Sequence, residues 1–370
     1  MQTAKILAML NEFAPFGLAE EWDHVGLMVG SKEISIQKIL FCLDVTEQVI
    51  DEAIEEKADL ILSHHPFFFE SVKRLDWSDQ KAKEIQKIIK HDISVISAHT
   101  NLDSSKWGLN AVLAQRIGLK EHRPLMAKFE GRRYKLAVYV PDSHAEEVKK
   151  AMFGSGAGKL GNYSECSFEI SGIGQFKPNR KANPYLGSNE NLERVKEQKI
   201  EVLIMEKDLA SVQLALKRAH PYEEPAYEIY EILQGDAEHG LGVVGKLSEG
   251  MTTSDFVKKT KEVLSLSTIV RAGAPKEYIK TVAICTGSGA GFIDQASKRG
   301  ADVLLTGDLK YHEAQKAFAR GLMVIDAGHY GTEIFSKEIL YDYFQEKLQK
   351  EGERPELIQS KVEENYMVFE

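Results

Sequence analysis

Four places in this sequence set an imidazole beside a second side chain able to bind metal or carry a proton, each at the end of an apolar run. His64 and His65 close ADLILSHH, and His99 and Asp103 lie in ISVISAHTNLD. Asp308 closes ADVLLTGD and His312 follows it, while His329 and Glu333 follow a run at Leu322–Ala327. Imidazole nitrogen and carboxylate oxygen suit zinc, iron(II), manganese or cobalt. Consecutive side chains in extended backbone point to opposite sides, so His64 and His65 do not easily chelate one ion but can serve two neighbouring ions. His329 and Glu333 are four residues apart and meet if the turn between them is helical. A carboxylate such as Glu333 has two oxygens and can bridge two cations. Two ions about 3.5–4 Å apart lower the pKa of a water between them and clamp an oxyanion, which is hydrolytic chemistry. The three cysteines, Cys42, Cys166 and Cys285, stand in no CxxC or Cys/His spacing, which excludes a thiolate zinc ribbon and a disulfide framework.

Such side chains converge only if the fold brings strand ends together. Ile39–Val45 and Ala58–His65 read as short buried strands, with a helix at Glu47–Lys57 between them. Ser78–His91 reads as a helix, Ile93–Asp103 as a strand and its following loop, and Gly108–Leu119 as a helix. The pattern β-α-β-α-β-α predicts a parallel sheet covered by helices, whose ligand groups lie past the carboxyl ends of the strands. The C-terminal third repeats it, with strands at Lys280–Cys285, Ala301–Asp308 and Leu322–Ala327 and a long helix from about Thr332 to Lys350. A shift of 243 aligns residues 38–65 with 281–308 without a gap, and seven of the 28 pairs are identical, among them Cys42/Cys285 and Asp59/Asp302. Chance gives about two. A shift of 229 then pairs SVISAHT with MVIDAGH. This implies a duplicated α/β core, with the two cysteines as equivalent buried core residues.

Between the halves the texture changes. Tyr134–Val140, Ala145–Phe153, Glu165–Gly174, Ile200–Met205, Leu209–Ala219 and Ala226–Leu233 read as β-α-β-β-α-β, a ferredoxin-like small domain. The expected organisation is therefore a core made of 1–127 and 236–370, interrupted by an insert at 128–235. The net charge of −9 argues against a general nucleic-acid or anionic-membrane surface. No apolar run reaches the roughly 18 residues of a spanning helix, and the start MQTAKILAMLNEFAPF lacks a signal peptide's apolar region, so a cytoplasmic protein is expected. CTGSGAG sits at a predicted strand-to-helix turn, where free N–H groups favour an anion; it is not in a nucleotide-binding register. A phosphate-bearing small molecule and a plain tight turn are both compatible with it.

SHHPFFF (Ser63–Phe69), AHTNLD (Ala98–Asp103), GLGVVGKL, CTGSGAG, GDLKYHEA (Gly307–Ala314) and DAGHYGTE (Asp326–Glu333) resemble, in order, the blocks of the Nif-three-like dinuclear metal-centre family, the GTP cyclohydrolase 1 type 2 homologues. The resemblance implies two divalent metal ions per chain, zinc first and iron, manganese or cobalt as alternatives. It matches His64, His65, Asp103, His329 and Glu333 to the family's metal ligands, with Glu333 as the bridge. It places His99, Asp308 and His312 as catalytic or ligand-supporting groups near the site. WDHVGL (Trp22–Leu27) departs from the family's Trp-Asp-Asn, and His24 is expected to replace a hydrogen bond of that asparagine rather than to face the site. HPYEEPAYEI (His220–Ile229) is similar to a CutA-type block, so the insert resembles the PII and CutA class. A ring-shaped homohexamer is also implied. The expected function is a metal-dependent hydrolase acting through a metal-activated water on a nucleotide-derived, phosphoester or related substrate, with GTP ring opening implied by the family name alone. The alternatives are a non-catalytic metal-binding regulator or chaperone with a ligand-sensing insert, and a scaffold held together by its metals.

Overall fold

A computed structural model of the chain describes residues 1–128, 132–161, 163–232 and 238–367. The first part of the chain forms α1 (Thr3–Phe13), β1 (Gly26–Val29), β2 (Lys38–Cys42), α2 (Glu47–Glu55), β3 (Leu60–Ser63), α3 (Gln80–Lys90), β4 (Ser94–Ser97), α4 (Thr100–Ser104), α5 (Leu109–Ile117) and β5 (Leu119–Lys128). The middle forms β6 (Arg133–Pro141), α6 (Ala145–Gly154), β7 (Ser167–Phe176), β8 (Glu193–Met205), α7 (Leu209–Ala219) and β9 (Tyr227–Glu231). The last part forms β10 (His239–Thr252), α8 (Thr253–Leu264), β11 (Val270–Gly273), β12 (Tyr278–Ile284), α9 (Ile293–Lys298), β13 (Val303–Thr306), α10 (Tyr311–Ala319), β14 (Met323–Asp326), α11 (His329–Glu333), α12 (Ser336–Glu351) and β15 (Glu356–Gln359). Two compact units result, Met1–Glu130 with Asp236–Glu370, and Gly131–Gly235.

The first unit holds two mixed sheets, in the orders β1-β4-β3-β2-β15 and β11-β14-β13-β12-β10-β5. In each, three short strands run parallel, β2-β3-β4 and β12-β13-β14, and an antiparallel strand borders the third. The shift of 243 carries β3 onto β13 residue for residue, and the shift of 229 carries β4 onto β14. Both sheets start their second parallel strand the same way. Asp59 Oδ2 accepts from the Gln37 and Lys38 amides at 2.7 and 2.9 Å, and Asp302 Oδ2 from the Lys280 and Thr281 amides at 2.9 and 2.8 Å.

These strands are apolar on both faces because both faces are covered. Phe41, Leu62 and Ile96 of one sheet and Val282, Leu305 and Ile325 of the other share a core with α1, α5, α8 and α12. The alternate residues Leu40, Ile61 and Val95 pack under α2 and α3. Ala283, Leu304 and Val324 pack under α9 and α10. Each buried Leu, Ile or Phe contributes about 1.5–3 kcal/mol of transfer free energy, which holds the strand ends in register.

The second unit is a four-stranded antiparallel sheet in the order β7-β8-β6-β9. Leu136, Val138, Ile200 and Val202 pack on one face against Val148 and Met152 of α6 and Val212 and Leu216 of α7.

Two expectations change. The sheets are not purely parallel, since β1, β5, β10 and β11 all pair antiparallel. Their sequences carry charges and glycines, so they lack the continuous apolar run that marks the inner strands. The long helix expected from Thr332 is broken after Glu333, and α12 starts at Ser336. Glu333 and Phe335 are both buried, the carboxylate among histidines and the ring in the apolar core, and the break separates the two. The expected boundary between 235 and 236, and the end of the strand expected to reach Leu233, lie outside the described residues.

Candidate metal centre

The side chains marked in the sequence sit where the parallel strands end. Backbone bonds from the His64 amide to the Cys42 carbonyl (3.1 Å) and from the His65 amide to the Leu43 carbonyl (2.9 Å) carry the pairing past β3, but the strand's alternation stops here. Both rings turn to the same centre with centroids 5.2 Å apart, rather than to the opposite sides expected of extended backbone. Asp103 lies on α4 just past β4, and α11 places His329 and Glu333 one turn apart just past β14. Asp308, just past β13, takes a left-handed backbone with φ 56°.

The centre is built around one oxygen. Glu333 Oε2 lies 2.9 Å from His65 Nε2, 2.9 Å from His329 Nε2 and 3.8 Å from His64 Nε2. Donor atoms of His64, His65 and Glu333 all fall within 4.8 Å of one another. Asp103 Oδ1 is 3.7 Å from His64 Nε2.

Each ring is fixed from behind through Nδ1. His64 Nδ1 donates to the Ala98 carbonyl (2.8 Å), which leaves Nε2 an acceptor facing the centre. His65 Nδ1 meets Asp44 Oδ1 at 2.7 Å, and His329 Nδ1 meets Asp308 Oδ2 at 2.7 Å. His99 Nδ1 meets Asp23 Oδ1 at 3.0 Å, and the His99 ring packs edge-on to His64 and His65 at centroid distances of 5.4 and 5.7 Å. A carboxylate or carbonyl behind each ring sets its tautomer and orientation, as around metal-binding histidines.

The glycine-rich turn after β12 makes room for Glu333. Gly287 has φ 60°, and a Cβ there would lie 2.1 Å from Glu333 Oε1. Thr332 Oγ1 accepts from the Gly287 amide at 3.0 Å and ties the turn to α11. The Thr286 amide donates to Asn110 Oδ1 (2.9 Å), whose amide group donates to the Asp103 carbonyl (3.0 Å), so the same turn braces α4.

The residues present fit a divalent cation. His64 Nε2 and Asp103 Oδ1 are both fully enclosed and have no hydrogen-bond partner among the described residues. Such orphans each cost about 1–3 kcal/mol, a cost a shared cation removes. Burial, then the charge of Glu333, raises the Asp103 carboxyl to about 7. For Glu333 burial acts upward, but the histidines that face it, His329 first and His64 and His65 with it, outweigh burial and hold its pKa well below the usual range. Burial opposes a charged His65, yet Asp44 and Glu333 lift its pKa to about 10, and Glu333 foremost lifts His329 to about 9. The carboxylates thus call for positive charge, which protons or a cation can supply.

The structure gathers His64, His65, Asp103, His329 and Glu333, places His99 beside them and puts Asp308 behind His329. His312 is not gathered in. It is exposed on α10, where Nδ1 meets Gln315 Oε1 at 2.9 Å and the ring packs against Tyr311. Helix α10 starts after Lys310, so a residue on its first turn leaves the strand end. His24 is exposed and forms no hydrogen bond among the described residues, so it does not stand in for an asparagine hydrogen bond. Its neighbour Asp23 makes the contacts instead, to His99 and to the Thr100 amide and hydroxyl. Asp23 and Asp44 were not singled out in the sequence. Asp44 could have been, since it lies just past β2 at the position that the 243 shift pairs with Gly287.

The fold and site together define a class: α/β proteins with a nitrogen- and oxygen-donor centre at the carboxyl ends of two related sheets. The Duf34/NIF3 (NGG1p interacting factor 3) family model matches residues 1–366, and the chain belongs to that family. A "GTP cyclohydrolase 1 type 2 homolog" of Listeria innocua is 41% identical over 323 residues, covering 87% of each chain. The crystal structure of Staphylococcus aureus protein SA1388 superposes with TM-score 0.86 at 32% identity, covering 100% of this chain and 99% of that one. A Bacillus cereus protein related to NIF3 superposes with TM-score 0.79 at 36% identity, again over 100% and 99%. No helix among the described residues is long and apolar enough to cross a membrane.

Proposed function

We propose that this protein is a dinuclear metal-dependent hydrolase of a nucleotide-derived, phosphoester or related substrate. The observation that carries the reading is the meeting of three imidazole Nε2 atoms on Glu333 Oε2, with each ring anchored at Nδ1. His64, His65, Asp103, His329 and Glu333 would hold the cations, with zinc the first expectation from the donor set. Divalent cations held there supply Lewis acidity, acidifying water and offsetting the negative charge of a reacting oxyanion.

The chain's own groups do the rest. Asp44, Ala98 and Asp308 orient the rings. His99, backed by Asp23, is the group beside the centre suited to carry a proton. Trp22 and Phe69 are exposed and flank His99 at centroid distances of 6.0 and 5.9 Å, which supports a substrate with a planar or apolar part. The relatives' name makes GTP ring opening one member of the substrate panel, alongside phosphoesters.

Activity of metal-reconstituted protein on a panel of nucleotides and phosphoesters, beside Glu333→Gln, tests the reading. Turnover lost in the variant supports it. A silent panel or an equally active variant overturns it in favour of a non-catalytic metal-binding regulator. The β-α-β-β-α-β order of the second unit supports a ferredoxin-like, PII- or CutA-type module inserted in a duplicated core. We further propose that the chain works in the cytoplasm as a homohexamer. Native mass measurement checks the assembly.

A further inference from the structure

The second unit contains a cavity of about 450 Å³, a size typical of small-ligand pockets. Tyr139 and Glu197 line it and alternate along β6 and β8 with the residues that face α6 and α7, so it lies on the helix-free face of the sheet. Glu197 is only 8% exposed, yet it stands in no ion pair among the described residues. Its Oε1 accepts from the Tyr222 hydroxyl at 2.9 Å, and its Oε2 has no hydrogen-bond partner among the described residues. Gly174 is what admits this carboxylate, because a Cβ there would lie 2.0 Å from Oε2.

Neighbouring cationic groups form no ion pair with it among the described residues, including Lys177, which also lines the cavity but is exposed. His220 donates from Nε2 to the Tyr139 carbonyl (2.9 Å) and accepts the Tyr222 amide at Nδ1 (3.1 Å), which uses both nitrogens of a neutral ring. Lys199, further along β8, is paired with Glu201 at 2.8 Å. Around the carboxylate stand aromatic rings, Phe176 and Tyr185 at centroid distances of 5.7 and 6.4 Å from Tyr222. A buried carboxylate without a cation is costly, and aromatic faces attract cations. Among the described residues the only cluster of three or more metal-type donors is the one in the core, so a bare metal ion does not suit this cavity.

We propose that this cavity binds a small organic cation bearing N–H donors, an alkylammonium or alkylguanidinium. Glu197 Oε2 accepts its N–H, and Phe176, Tyr185 and Tyr222 face its charge. This site is separate from the metal centre and does not depend on the hydrolase reading.

Calorimetric titration of the full-length protein with butylguanidinium, beside its uncharged isostere butylurea, tests it. Saturable butylguanidinium binding is expected, with butylurea at least tenfold weaker. Glu197→Gln should lose at least tenfold in affinity with unchanged metal content. Phe176→Leu, which keeps the carboxylate, should lose severalfold and provides the comparison if Glu197→Gln does not fold. No saturable binding, equal binding of butylurea, or full affinity in the two variants overturns the proposal. So does a Glu197→Gln change in native mass without butylguanidinium binding, which assigns the carboxylate to a contact between copies.

Discussion

His65 Nε2 and Glu333 Oε2 stand 2.9 Å apart although 268 residues separate them in the chain. The same oxygen is 2.9 Å from His329, and the two ring nitrogens are 3.3 Å from each other. Glu333→Gln keeps the shape and removes the charge that all three rings face. Metal retained after purification should fall to a small fraction of the wild-type amount, measured by elemental analysis, and chelator should then shift the melting temperature far less than in wild type. Wild-type metal content in this variant would refute the central role of that oxygen.

The carboxylates behind the rings should matter nearly as much. Asp44→Asn and Asp308→Asn leave the facing nitrogens in place but weaken their orientation, and each should lower metal affinity about 10–100-fold. His312→Ala should leave affinity unchanged, because that side chain faces Gln315 on the exposed side of α10. Competition titration with a chromophoric chelator ranks the three.

Gly287→Ala places a methyl group on Glu333 Oε1 and in a left-handed backbone. The expected outcome is about 1 kcal/mol or more of destabilisation together with weaker metal binding. A variant that binds metal like wild type would show that Glu333 can retreat without loss.

Asp23 gives a pH signature. Burial acts to raise its pKa, but the hydrogen bond and charge of His99, with Thr100, bring it down to about 2. A depressed carboxylate stabilises the fold above its unfolded value of about 4 and loses that contribution as pH falls through the folded value. Asp23→Asn should therefore be less stable than wild type by about 2 kcal/mol above pH 4, with the gap closing towards pH 2. Denaturant titrations across that range check the sign, and a gap that widens in acid contradicts it.

Asp59 and Asp302 cap equivalent strand starts with the same pair of amide bonds. Replacing either by Ala strands two backbone donors, so each should cost about 1–3 kcal/mol. Chemical denaturation should report similar losses at both positions.

The repeat was legible because it rests on local order. Apolar runs of strand length, Asp59 and Asp302, and Cys42 and Cys285 recur at one spacing, and the strands β3 and β13 fall in that register. The edge strands were not legible, because β5 and β15 owe their existence to neighbours rather than to an apolar pattern of their own.

By itself the sequence determined the inventory: nitrogen and oxygen donors without thiolates, placed past the ends of strands buried on both faces. It also determined the i,i+4 pairing of His329 with Glu333, since a helical turn suffices for that contact. Only the tertiary structure decided which strand-end groups share one space. It seated Glu333 over Gly287, put Asp23, Asp44 and Asp308 behind the rings, and turned His312 away on α10. The reason is physical. Periodicity is a property of neighbours along the chain, whereas the approach of His65 to Glu333 is set by how two sheets and their helices fill a common core.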